Sequence, residues 1–168
     1  MKPTENEHNS YFKKYIDLAD DNNLINQLEN SSTEFEKFVR QIPHEKVDYK
    51  YAENKWTIKQ LLIHLIDTER IFSYRALAFC RGEKQNLPGF DENDYADNSK
   101  FKHRNLNDIV EEYLAVRQAT IQLFKSFDEV DLQKKGVANY SEISINAIGH
   151  VLVGHQIHHF KIITERYL

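Results

Sequence analysis

Thr57-Ile58-Lys59-Gln60-Leu61-Leu62-Ile63-His64-Leu65-Ile66-Asp67 opens a run that reaches Arg81 without a glycine or proline. Its pattern predicts a long helix over residues 57–81. Thr57 and Gln60 have the form of a capping box, a hydroxyl at the N-cap and a Gln three residues on. Gly82 supplies the C-terminal stop. His64 shares a helical face with Leu61, Thr68 and Ile71, so its imidazole is directed to the core.

Working outward, three more long helices follow from apolar residues at spacings of three and four. The first covers residues 22–41, with Leu24, Ile25, Leu28, Phe35, Phe38 and Val39 on its core face and Pro43 closing it. A shorter turn of helix around residues 11–18 precedes it. Residues 107–127 form the third long helix, with Ile109, Tyr113, Val116, Ile121 and Phe124 inward and Asn105 or Asn107 as cap. The fourth runs from Ser144 to residue 168. Between the second and third lies a long connection, residues 82–104, containing Pro88-Gly89-Phe90-Asp91-Glu92. Such long connections are usually functional or disordered. Residues 128–143 hold Gly136 and Asn139 and have room for a short hairpin or an irregular crossing. The expected fold is all-α, a four-helix bundle with a long crossover between helices two and three.

Composition agrees with this. The 168 residues are 40% hydrophobic, with only 5 Gly and 3 Pro, which suits one helical domain over residues 1–168. Residues 1–10 are polar and are expected to form a flexible tail. A formal charge of −4 and scattered Lys and Arg argue against a nucleic-acid partner. No secretory leader and no run of membrane-spanning length is visible, so a cytoplasmic protein is expected. The one cysteine, Cys80, excludes an intrachain disulfide and reads as a small buried hydrophobe.

The predicted last helix carries Gly154-His155-Gln156-Ile157-His158-His159-Phe160. His155 and His159 are separated by about 40° around the axis and one turn along it, so they point the same way. His158 is a rival partner for His155 at i,i+3. With His64 they form a set of core-facing imidazoles. Each taken alone reads as a hydrogen-bonded core histidine. Together they also suit a shared metal ion, and burying three unpartnered imidazoles would cost about 1–3 kcal/mol each. Three neutral imidazoles with an open fourth position are the ligand set of a catalytic site. His150 lies about 140° from His155 around the helix and cannot face the same ion. Asp67, three residues after His64, is a candidate catalytic base, an outer acceptor, or a solvated carboxylate.

Trp56-Thr57-Ile58-Lys59-Gln60-Leu61-Leu62-Ile63-His64-Leu65-Ile66-Asp67 and His155-Gln156-Ile157-His158-His159 together resemble the two motifs of the DinB-like family. Pro88-Gly89-Phe90-Asp91-Glu92 and the Arg117 region are similar to it as well. The resemblance implies a metal-binding four-helix bundle whose ligands fall on His64, His155 and His159. It implies a divalent metal such as zinc, nickel, iron or manganese. It also implies a small-molecule substrate, a possible homodimer, and no DNA binding. The activity it suggests is transfer of a low-molecular-weight thiol, of the bacillithiol kind, to small electrophiles. A metal-dependent hydrolase is the alternative, and a non-catalytic metal-binding protein a third reading. Hydrolysis would ask Asp67 to act as the base.

Overall fold

Residues 1–168 are described by a computed structural model. Its helices are α1 (Ser10–Ile16), α2 (Leu24–Val39), α3 (Ile58–Cys80), α4 (Glu92–Asn98), α5 (Leu106–Lys125), α6 (Glu129–Gln133) and α7 (Ile145–Arg166). A hairpin, β1 (Lys135–Ala138) and β2 (Ser141–Ser144), lies between α6 and α7. No helix is long and apolar enough to cross a membrane.

The four long helices form the bundle. α5 packs on α2 and α3, and α7 packs on α3 and α2, so α2 and α3 sit diagonally across it. Two apolar clusters fill its two ends. One contains Leu28, Phe72, Phe124 and Ile148, the other Phe35, Leu62, Ile109 and Ile163. The order in which each helix meets them fixes its direction. α2 and α7 pass the first cluster and then the second, whereas α3 and α5 pass the second and then the first. Consecutive bundle helices α3 and α5 are therefore parallel, and the chain must travel back along the bundle to join them. That requirement accounts for the length of the 82–104 connection.

The connection is not all loop. It contains α4, capped by Asp91 Oδ1 on the Asn93 and Asp94 amides, and a 3₁₀ turn at Phe101–His103. Gln60 pins it down. Its Oε1 accepts from the Thr57 amide at 3.0 Å, completing the capping box, while its Nε2 donates to the Ala96 carbonyl at 3.2 Å. Arg75 holds the preceding segment by donating to the Pro88 carbonyl at 2.9 Å.

The expected tail at residues 1–10 is instead docked. Glu7 is buried, accepts from Ser144 Oγ at 2.9 Å and Asn146 Nδ2 at 3.2 Å, and receives the Thr4 amide at 2.8 Å. His8 bridges to Ile143 at the edge of β2. A buried carboxylate with several donors stays ionised, and these bonds hold its pKa below the usual range although burial opposes this. The polarity that suggested a tail is the polarity of this anchor.

Candidate metal centre

α1 crosses α7 at Gly154, where a Cβ would lie 1.9 Å from the Tyr15 carbonyl oxygen. Only glycine admits that approach. It brings the Tyr15 ring edge-on to His155, with centroids 5.2 Å apart, and to His158 at 5.3 Å. His155 is thereby sealed on the α1 side.

His64 comes from α3 and His155 and His159 from the adjacent, antiparallel α7. All three are buried, and one ligand nitrogen from each falls within 4.8 Å of the others. His155 Nε2 lies 3.1 Å from His64 Nε2 and 2.8 Å from His159 Nε2. An imidazole nitrogen carries one proton or one lone pair in the ring plane, not both. His155 Nε2 therefore cannot satisfy both neighbours by hydrogen bonding. A cation accepting all three lone pairs can, since bonds of about 2.05 Å at tetrahedral angles put ligand nitrogens about 3.3 Å apart.

The electrostatics agree with lone pairs rather than protons at the centre. Burial pushes His64 down to about 4. His155 and His159 are also held well below the ordinary imidazole range, by burial first and by neighbouring imidazoles second. Near neutral pH all three rings are uncharged, the state in which imidazole binds a metal. On the far sides of the rings, His64 Nδ1 faces Thr68 Oγ1 at 3.5 Å and His159 Nδ1 is buried without a partner.

Other histidines lie outside the group. His158 is half-buried against Tyr15 and His159. His150 bonds the Asn146 carbonyl through Nδ1 at 3.0 Å, as expected of a residue on another face. Asp67 is not in the group whose ligand atoms lie within 4.8 Å of one another. Its charged neighbours are Arg70, Glu112 and Arg104, and Arg70 Nη1 is 3.9 Å from its Oδ1. Glu112 in turn bonds Arg70 at 2.6 Å and also Arg104, so this acidic and basic cluster ties α3 to α5.

A second buried polar group continues the same level of the bundle. Arg117 Nε and Nη2 donate to the two Glu69 oxygens at 2.7 and 2.8 Å, with both side chains almost fully buried. Arg117 also reaches Ser31 Oγ, Gln156 Nε2 donates to the Ser31 carbonyl at 2.8 Å, and Tyr113 donates to Gln156 Oε1. Gln156 follows His155 in the chain, so the network runs from the three-histidine cluster to every bundle helix. Although burial opposes its charge, Glu69 raises the Arg117 pKa further. The resemblance marks the Arg117 region, but sequence pattern gave no sign of its pairing with Glu69, because the two are 48 residues apart.

A cleft of about 210 Å³ opens onto His159. Trp56, Tyr51 and Tyr167 form aromatic walls, and Lys55 and Asn93 stand among its polar residues. Trp56 lies 4.9 Å from the His64 ring, and its carbonyl accepts from Tyr167 Oη at 2.7 Å. A larger cleft of about 520 Å³, between the end of α2 and the starts of α3 and α5, includes none of the three histidines in its lining.

Residues 27–163 match the sequence model of the DinB superfamily. Among solved structures the chain is similar to YfiT from Bacillus subtilis, described as a probable metal-dependent hydrolase with an unusual four-helix bundle topology. The TM-score is 0.75 at 18% identity, covering 98% of this chain and 90% of that one. No curated protein matches the sequence.

Proposed function

The chain belongs to the DinB superfamily, and from that membership we propose that it is a metal-dependent enzyme whose ion is held by His64, His155 and His159. The observation that carries this reading is the convergence of three buried, uncharged imidazole nitrogens within 4.8 Å beside an open cleft. A divalent ion in that position supplies Lewis acidity that makes a thiol or a water a nucleophile near neutral pH. Zinc, nickel, iron and manganese all suit such ligands.

The reaction we favour is transfer of a low-molecular-weight thiol, of the bacillithiol kind, to a small electrophile. Its support is the position of Asp67, which is engaged with the arginines between α3 and α5 and belongs to no shared group with the histidines. A divalent ion held by His64, His155 and His159 would lower the pKa of a bound thiol, so thiol transfer would call for no protein base. The chain's own residues then have three tasks. The imidazoles fix the nucleophile's position, Tyr15 and the α1 crossing exclude water behind His155, and the aromatic cleft beside His159 receives the electrophile.

The second reading is hydrolysis of a small molecule, favoured by the structural similarity to YfiT. One experiment separates them. Metal-loaded protein is incubated with bacillithiol or glutathione and 1-chloro-2,4-dinitrobenzene, and separately with an activated aryl ester. In the first reaction the thiol loses its proton to the buffer, a carbon–sulfur bond forms, and chloride leaves with the carbon–chlorine electron pair. Metal-dependent conjugation that survives Asp67→Asn supports thiol transfer. Ester cleavage without conjugation, abolished by Asp67→Asn, overturns it in favour of hydrolysis.

A further inference from the structure

The cleft beside His159 is selective in charge and shape, and we infer that its ligand is a small aromatic carboxylate, seated between Trp56 and Tyr51 with its charge toward Lys55. The inference deepens the metal reading above and rests on it.

Charge is the first argument. None of the nine residues that line the cleft is acidic. Lys55 is its one cationic side chain, is exposed in the turn before α3, and takes part in none of the molecule's ion pairs. Imidazole is a neutral ligand, so a divalent ion held by the three rings would add positive charge near His159 in the cleft lining. With Lys55 on the rim and no carboxylate in the lining, the cleft favours an anion, and a metal held by the three histidines would reinforce that preference.

Shape is the second. Three of the lining side chains are aromatic. Tyr167 is fixed in orientation by its hydroxyl's bond to the Trp56 carbonyl and by the edge-on Tyr51 ring at 5.0 Å, and the Trp56 indole lies against the His64 ring, with centroids 4.9 Å apart. Rigid aromatic walls prefer a flat partner. A volume of about 210 Å³ lies below the range of about 300–1,000 Å³ usual for drug-sized ligands, so a single ring fits and a larger molecule must project outward.

The sequence supplies its own reporter, because Trp56 is the only tryptophan. Zinc-loaded protein is titrated with benzoate, with neutral benzamide, and with non-aromatic cyclohexanecarboxylate, reading Trp56 emission, and zinc content is measured on the same samples. Benzoate should give a saturable change. Benzamide and cyclohexanecarboxylate should each bind at least about fivefold more weakly, and Lys55→Ala should weaken benzoate by about tenfold, the scale of one charged hydrogen bond, at unchanged zinc content. Equal binding of benzoate and benzamide, or indifference to Lys55→Ala, would overturn the inference while zinc retention leaves the metal centre standing. Protein that holds no zinc would overturn the metal centre, and the same Lys55 comparison on the metal-free protein then decides the cleft.

Discussion

His155 Nε2 shows why the centre suits a metal, with two imidazole nitrogens at 2.8 and 3.1 Å and only one in-plane position to offer them. Without an ion the three rings also make the protein acid-sensitive. His64 has a folded pKa of about 4 against an ordinary 6.5, so the unfolded chain binds protons below 6.5 that the folded one refuses. Stability of the metal-free protein should therefore fall as pH drops through 6.5 toward about 4, with His155 and His159 acting in the same direction. Urea midpoints at several pH values check this, and a flat profile would contradict it. Gly154→Ala is the second test at this scale. Its methyl would meet the Tyr15 backbone, and overpacking of this kind costs about 1–3 kcal/mol, read as a lower urea midpoint.

Among the elements, α3 and α7 were legible because apolar spacing and caps mark them and their three histidines fall on inward faces. The i,i+4 pair and His64 are marked by sequence spacing and apolar context alone. α4 could not, since Asp91, Glu92 and Asp94 read as a solvated acidic edge and its attachment depends on Gln60, 36 residues from its partner Ala96. The N-terminal anchor was hidden for the same reason. Glu7 finds its partner Ser144 137 residues away, so nothing local marks it as buried. Because Ser144 also caps α7 through the Ala147 amide at 2.9 Å, Glu7→Ala should loosen both the N-terminal segment and the start of the histidine helix. Hydrogen exchange should show faster amides at residues 1–9 and 145–148. Unchanged exchange at both would mean the anchor does not hold.

At the scale of the whole molecule, a polar layer separates two apolar ends. Glu69, Arg117, Ser31, Gln156 and His155 lie between the clusters along their helices. The layer fixes how the helices line up, since sliding any one by a turn would strand a buried charge. Arg117→Met should destabilise the protein by about 3–5 kcal/mol by leaving Glu69 unpaired, and adding Glu69→Leu should recover much of that loss. Chemical denaturation of the single and double variants measures the coupling. Additive losses would show that the pair is not a unit.

The most direct measurement is the metal content of untagged protein expressed without supplementation, beside a His64→Ala/His155→Ala/His159→Ala variant that retains helical circular dichroism. The account predicts about one equivalent of a divalent metal in the native protein and none in the variant. No metal in the native protein, and none taken up on titration with zinc or nickel, would contradict it.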